Sequence, residues 1–467
     1  MGQATSNTEV LVIGAGPGGY VAAIRAAQLG YEVTLVDKAG ELGGMCLHHG
    51  CIPSKSLIHA VNLYYQLTHA DAIGVSGTLE LNFSKTQEWK QSVINTLHTG
   101  IQGLCKKHNI RVINALARFQ TPTRVILEGE DLEFNALEFR HCIIATGSRP
   151  RSIPGVEFGG RILSSREVLE LTQVPKTFCV IGGGYIGVEL GSMLAKAGSQ
   201  VTIVEAGENI LAVIDKEFSA VAQKRLQEQD ITLLLSTPVE SVRQEEDAVY
   251  VKTGGVEQRY DYCLIAVGHK PVTENLQLDL AGVEVDERGF IKIDEQCKTA
   301  AKHIYAVGDV TGGVMLAHKA SAQGKVAAEA IAGKPTAFEP QAIPAVIFTD
   351  PEIASVGLRE SEAKQQYGDK LKVGTFPFAA LGKALAITEA EGFVKVLTDD
   401  QGVILGVHGV GPGVTDYISE AALAIEMGAT AEDLALTIHP HPTLSESLAE
   451  ASEALLGHAI HLYQPGK

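Results

Sequence analysis

Glu9-Val-Leu-Val-Ile-Gly-Ala-Gly-Pro-Gly-Gly19 is an apolar run that breaks into a glycine turn. The run predicts a buried strand over residues 9–13, and Gly14, Gly16 and Gly19 complete a G-x-G-x-x-G pattern. Tyr20 to Leu29 then reads as an Ala-rich helix ended by Gly30, and Tyr31-Glu-Val-Thr-Leu-Val36 as a second strand running into Asp37. The physics suits a dinucleotide. Glycines let the backbone approach a pyrophosphate, the helix N-terminus faces its charge, and the acid bonds ribose hydroxyls. The glycine pattern alone is a weak signal. Strand, turn, helix, strand and acid in that order make it specific.

The same unit recurs 168 residues on, from Gly14 to Gly182. Cys179-Val-Ile-Gly-Gly-Gly-Tyr-Ile-Gly187 repeats the turn through Gly182, Gly184 and Gly187; Gly198 matches Gly30, and Val201-Thr-Ile-Val-Glu205 matches Val33-Thr-Leu-Val-Asp37. A fixed offset is an internal repeat, so two dinucleotide sites are expected. Ile143-Ile-Ala-Thr-Gly147 and Leu264-Ile-Ala-Val-Gly268 form a weaker repeat. Each closes a nucleotide unit or is an ordinary core strand with a turn.

Between the first unit and its closing strand stands Leu42-Gly-Gly-Met-Cys-Leu-His-His-Gly-Cys-Ile-Pro-Ser-Lys55. Cys46 and Cys51 lie close enough to form a disulfide with each other. Pro53 reads as part of the first turn of a helix, which sets Cys51 at or just before its N-terminus, where the dipole favours a thiolate. Such a pair suits disulfide exchange. Two other readings stand beside it. Cys46, His48, His49 and Cys51 are all metal-ligand types, although no C-x₂-C occurs elsewhere to complete a structural zinc site. An inert pair of core thiols is the third reading. No metal is expected.

The bulk properties narrow the class. The chain has 467 residues, 49 of them glycine, and is 45% hydrophobic. Its net charge is −17, from 38 basic and 55 acidic residues, and no basic stripe occurs. Nucleic acid and anionic membrane are therefore poor partners. Seven cysteines, five of them scattered, do not make a secreted disulfide framework. The apolar run from Val10 lacks a basic flank and breaks at Gly-Pro-Gly-Gly, so it is neither a signal peptide nor a membrane span. Met1-Gly-Gln-Ala-Thr-Ser6 matches the myristoylation pattern by letter, without a basic patch to support it. A cytoplasmic protein is expected, or one of an organelle matrix if the chain is a processed form.

Pro150 and Pro154-Gly155 mark a boundary between the nucleotide units. Val249 to Gln258, with Gly254-Gly255 in its middle, predicts a hairpin. Ile304-Tyr-Ala-Val-Gly-Asp309 predicts a strand whose end presents a carboxylate, unless Asp-Val-Thr-Gly is simply a turn. From about residue 345 the character changes to an antiparallel sheet, with strands at Val346, Ala354, Phe393 and Val403, followed by an apolar helix from Asp416 to Met427. Thr437-Ile-His-Pro-His-Pro-Thr-Leu-Ser-Glu446 precedes a last helix. By spacing, Thr443 and Glu446 form a capping box. Glu446 can instead orient His441 as a base. Spacing alone favours the cap.

Taken together, these residues resemble the flavin-dependent pyridine nucleotide–disulfide oxidoreductases along essentially the whole chain. Gly14 to Gly30, Cys51-Ile-Pro-Ser-Lys55 and His441-Pro-Thr-Leu-Ser-Glu446 are most similar to the branch that oxidises dihydrolipoamide. The resemblance implies an α/β fold with two Rossmann-like dinucleotide-binding domains and a C-terminal α+β dimerisation domain. The divisions expected are 1–150 for FAD, 151–275 for NAD, 276–345 completing the FAD site, and 346–467 for the interface. It implies Cys46 and Cys51 as the redox pair, with His441 and Glu446 as base and orienter. FAD falls to Gly14, Gly16, Gly19, Asp37, Lys55, Gly147 and Asp309. NAD falls to Gly182, Gly184, Tyr185, Gly187, Glu189, Glu205 and Gly268, with Lys55 paired to Glu189 beside the flavin and Tyr185 over its ring. Glu205 is followed by Ala-Gly-Glu-Asn rather than arginines, which favours NAD over NADP. The implied partners are a second copy of the chain and a lipoyl-bearing acyltransferase or glycine-cleavage carrier protein. The chain departs from the family at Met45 (usually Thr), His48 (Asn), Asp37 (Glu), His269 (Arg) and Pro440 (Ala).

Overall fold

A computed structural model describes residues 5–464. The first four residues of the myristoylation-like hexapeptide lie outside that range. The opening strand runs Thr5–Ile13, longer than its apolar core, because its first residues pair in parallel with Ala136–Ile144. Helix α1, Pro17–Gln28, follows the glycine turn with Pro17 in its first turn. Val33–Asp37 returns parallel to the first strand, Val10 opposite Val33. The strand order from one edge is residues 111–114, 33–37, 5–13, 136–144, 124–128 and 116–121. Ile304–Ala306 also joins this sheet, parallel to Ala136–Ile144.

Three helices leave this sheet before its closing strand: α2, Gly44–His49; α3, Cys51–Thr68; and α4, Phe83–Lys107. Ser148–Pro150 pairs antiparallel with His269–Pro271, so the exits of both nucleotide units share one ribbon. The second unit holds α5, Ser165–Leu169; α6, Tyr185–Lys196; and α7, Lys216–Glu228. Its parallel sheet orders residues 232–234, 200–204, 177–181, 262–265 and 162–163. The hairpin about Gly254-Gly255 forms as expected, Val249–Thr253 against Val256–Tyr260.

The repeat extends to atomic contacts. A Cβ on Gly14 would lie 2.3 Å from the Ala145 carbonyl oxygen, and one on Gly182 would lie 2.5 Å from that of Ala266. Both glycines also have positive φ, +101° and +110°. Ala145 and Ala266 sit at matching places in the weaker repeat. Ile143-Ile144 and Leu264-Ile265 therefore do flank the first strand of each unit.

Helices α3 and α6 run side by side in the same direction. Lys55 bonds Glu189 at 2.8 Å and Lys196 bonds Asn62 at 2.8 Å, both across 134 residues of chain. The two rungs are two helical turns apart. Lys196 also reaches Asp350 at 2.7 Å, tying this helix pair to the C-terminal region.

After α8, Ala317–Ile331, the C-terminal sheet is antiparallel, ordered 345–347, 353–357, 404–410, 393–398 and 372–377. Four of its strands were expected; Lys372–Pro377 was not. Helices α9, Glu360–Tyr367, and α10, Gly382–Ala386, interrupt it. Helices α11, Val414–Glu426; α12, Ala431–Leu436; and α13, Glu446–Leu456, are the last helices among the described residues. Val414, Ile418, Ala421 and Ala424 of α11 are buried against Leu448 and Ala451 of α13 and the sheet. Among the described residues no helix is long and apolar enough to cross a membrane.

Candidate active site

The first glycine turn opens into a cleft of about 480 Å³ lined by Gly14, Gly16, Asp37, Cys46, Cys51 and Lys55, among others. The thiol segment reaches it through Gly43 and Gly44, both at positive φ. The Gly43 N–H bonds the Ala15 carbonyl at 2.8 Å. A Cβ on Gly44 would stand 2.7 Å from the Gly16 Cα. Gly44 is therefore small because the thiol segment packs directly on the nucleotide turn. Cys46 lies in α2, a turn of helix not anticipated from the residue pattern. Cys51 is the first residue of α3, with Gly50 as its cap and Pro53 in the first turn.

Both cysteines are free thiols, hydrogen-bonded to each other. The Cys51 thiol is lowered to about 7, first by the hydrogen bond from Cys46; burial opposes this and the Lys55 ammonium adds to it. The same hydrogen bond, with burial, pushes Cys46 up. The pair is thus polarised, with Cys51 the easier thiolate and Cys46 its proton donor. His48, between them in the chain, turns away to the Leu42 carbonyl at 3.0 Å and His98 at 3.3 Å. His49 meets Glu41 at 2.7 Å. Among the described residues no three His, Cys, Asp or Glu side chains converge on a metal position.

Lys55 and Glu189 meet at 2.8 Å, although Glu189 is 3% exposed. The Glu189 carboxylate also accepts the Phe348 N–H at 2.9 Å, and the Lys55 ammonium lies 4.7 Å from the centre of the Phe348 ring. Burying a carboxylate is tolerable only with such partners. Phe348 was not legible in the sequence as part of this site; only its contacts reveal it. Tyr185, first residue of α6, lines the same cleft, and burial lifts its hydroxyl to about 12, so it stays protonated. Gly147, Asp309 and His269 line it too. Asp309 sits in a short turn, Gly308–Thr311, and accepts the Ser148 hydroxyl at 2.6 Å. Ser148 is a second residue that sequence reasoning missed.

The two acidic residues occupy equivalent places. Asp37 accepts the Ala15 N–H at 2.9 Å, and Glu205 accepts the Gly183 N–H at 2.6 Å. Each acid braces the middle of its own glycine turn and keeps lone pairs for a ribose. A Cβ on Gly16 or on Gly184 would meet nothing within 4 Å, so a side chain there would project into open space at a helix start. A Cβ on Gly19 would lie 1.8 Å from the Gly14 oxygen, and one on Gly187 would lie 2.1 Å from the Gly182 oxygen. These residues fit two dinucleotides. The second turn, with Gly182, Gly184, Gly187 and Glu205, lies outside the lining of the first cleft, and Gly268 does too.

His441 and Glu446 are elsewhere. The His441 ring meets Glu446 at 2.8 Å through Nδ1, and its side chain is 77% exposed. The other carboxylate oxygen of Glu446 accepts the Thr443 N–H at 2.7 Å. The capping box expected of Thr443 and Glu446 does not form: Ser445 is the N-cap of α13 without a side-chain cap bond, and the Thr443 hydroxyl donates to the Pro440 carbonyl at 2.7 Å, so Glu446 holds the His441 ring with one oxygen and ties the preceding turn with the other. Neither residue lines the thiol cleft of its own chain. Near them in the chain Leu436 is 73% exposed and Ile438 95%, large apolar side chains bare in a single chain.

The pyridine nucleotide-disulphide oxidoreductase family matches residues 8–324, and the dimerisation domain of that family matches residues 343–452. The chain is 46% identical to the dihydrolipoyl dehydrogenase of Geobacillus stearothermophilus over 99% of both chains. It is 46% identical to that of Haloferax volcanii, again over 99% of both. Among solved structures, LpdA of Mycobacterium tuberculosis superposes with a TM-score of 0.90 at 26% identity, over 96% of this chain and 99% of that one. The HOCl-induced flavoprotein disulfide reductase RclA of Escherichia coli gives 0.87 at 27% identity, over 95% and 99%.

Proposed function

This chain belongs to the pyridine nucleotide-disulphide oxidoreductases, and from that premise we infer that it oxidises dihydrolipoamide to lipoamide with reduction of NAD⁺. The observation that carries the reading is the polarised thiol pair in the cleft of the first glycine turn. FAD bound there supplies a two-electron acceptor for the thiols and a hydride donor for NAD⁺. We assign residues 1–150 to FAD, 151–275 to NAD, 276–345 to completing the FAD site and 346–467 to the interface.

The exchange steps follow from the side chains. With Cys46 and Cys51 joined as a disulfide, His441 Nε2 takes the proton of one substrate thiol while Glu446 holds Nδ1–H. The substrate thiolate attacks Cys46 Sγ, the Cys46–Cys51 bond breaks, and Cys51 departs as a thiolate. Its low affinity for protons makes it a good leaving group. The second substrate thiol then attacks the substrate sulfur of the mixed disulfide, closing lipoamide; the bond from that sulfur to Cys46 breaks, and the second thiol's proton passes to the departing Cys46 sulfur. Two electrons now reside on the protein as a thiol and a thiolate. Lys55 stabilises that thiolate, and Glu205 favours a ribose without a 2′-phosphate.

On this reading the thiol substrate is a lipoyl group carried by an acyltransferase or a glycine-cleavage carrier protein, and the enzyme works in the cytoplasm as a homodimer. The purified protein should be yellow and reduce NAD⁺ with dihydrolipoamide, and Cys46→Ser should abolish this. A colourless protein, or full turnover by Cys46→Ser, would overturn the reading.

A further inference from the structure

The segment from Thr437 to His441 holds two histidines in opposite circumstances. The ring of His441 is open to solvent apart from its Glu446 contact. His439 has both ring nitrogens engaged. Its Nδ1 is 2.8 Å from the Thr437 carbonyl oxygen, its Nε2 is 2.8 Å from a Glu420 carboxylate oxygen, and its side chain is 6% exposed. A carbonyl and a carboxylate only accept hydrogen bonds, and a neutral imidazole has one N–H to give. With a neutral ring, one of the two contacts would set lone pair against lone pair. Only the imidazolium satisfies both.

We propose that His439 is a positioning residue, held as an imidazolium between Glu420 of α11 and the Thr437 carbonyl, which anchors the turn presenting His441 to the substrate thiol. This rests on His441 being the base. The charged groups facing His439 are Glu420 from α11 and Glu446 from α13, both carboxylates. The hydrogen bond to Glu420 raises its proton affinity; burial opposes this, and the charges of Glu420 and Glu446 add to it. The anchor is therefore complete below the ordinary histidine value of about 6.5. It is lost as pH rises through the raised folded value. The anchor thus sets the alkaline limb of dihydrolipoamide oxidation.

The test uses the full-length flavin-loaded enzyme with His439→Leu, His439→Gln and Glu420→Gln. Dihydrolipoamide oxidation by NAD⁺ needs the base; NADH oxidation by ferricyanide does not. His439→Leu should lower kcat of the first roughly ten- to hundredfold, the scale of a small misplacement, and leave the second unchanged. His439→Gln still donates to Glu420, so it should recover most of kcat at neutral pH and remove the alkaline limb. Glu420→Gln, which keeps an acceptor without its charge, should move that limb to lower pH. Equal loss in both assays would show a merely structural role and overturn the proposal, as would an unchanged kcat and pH profile in His439→Leu. His441→Gln separates the two levels. Abolished turnover there with an unaffected His439→Leu sinks the anchor alone, whereas retained turnover sinks the base and the anchor with it.

Discussion

The chemistry of Cys51 is set by burial and by two neighbours within one turn of helix or one short loop. Cys46 donates a hydrogen bond to it, burial resists its charge, and Lys55 supports it. In the dithiol form, alkylation of Cys51 should therefore titrate with a midpoint near 7. Cys46→Ala removes the largest favourable contribution, so the midpoint should climb toward the ordinary thiol value of about 8.5. Mass spectrometry of iodoacetamide-treated protein across pH reads both midpoints. An unchanged midpoint in Cys46→Ala would mean that the two thiols do not share a proton. The spacing of the cysteines was plain in the sequence. The direction of polarisation was partly so, since Pro53 announced a helix start beside Cys51. The contribution of Cys46 was not, because it depends on α2, whose six residues, Gly44–His49, form only as the chain turns back onto Gly16.

At the scale of elements, two copies of strand, glycine turn and helix use the same close contacts. The Gly19 and Gly187 positions are both blocked by a carbonyl oxygen from the start of their own turn. Backbone cannot yield as a flexible side chain does. Gly187→Ala should displace the start of α6 and raise KM for NADH by roughly a hundredfold, with flavin absorbance retained. Gly19→Ala should do the reverse and yield protein depleted of flavin. Flavin content by absorbance and NADH kinetics on the two variants give the check. Matching losses of both cofactors in both variants would contradict separate sites. The side-by-side packing of α3 and α6 makes the contrast instructive. They emerge from different turns, yet Lys55–Glu189 and Lys196–Asn62 hold them in register.

In the whole molecule, the thiols line a cleft while His441 stands exposed on the C-terminal region among bare apolar side chains. Large apolar groups left exposed together mark an interaction surface, and the chain carries the family's dimerisation domain. A two-fold pair exchanges identical patches, so the base of one chain can serve the thiols of the other. Cys46→Ser and His441→Gln should each be inactive alone. Random mixing makes about half the dimers mixed, each with one intact site, so roughly a quarter of full activity should return. Dimers proved to be mixed yet inactive would place base and thiols on the same chain.

The two nucleotide units, the thiol pair, the antiparallel C-terminal region and the order in which they come were all legible in the residue pattern. These are local: a strand running into glycines, a helix after them and an acid at the next strand end are written within about thirty residues. The residue pattern missed Lys372–Pro377, whose run of Lys-Val-Gly-Thr-Phe-Pro is broken by Gly374 and which is a strand because it pairs with Phe393–Thr398. It left Glu446 between two roles. The structure gives each of its oxygens one contact, which no spacing rule could reveal. Gly44 against Gly16, Phe348 on Glu189, Ser148 on Asp309 and Glu420 on His439 were all decided by tertiary structure. Each joins residues whose meeting depends on how separate elements pack, and the energy of such a contact exists only after the chain has closed around it.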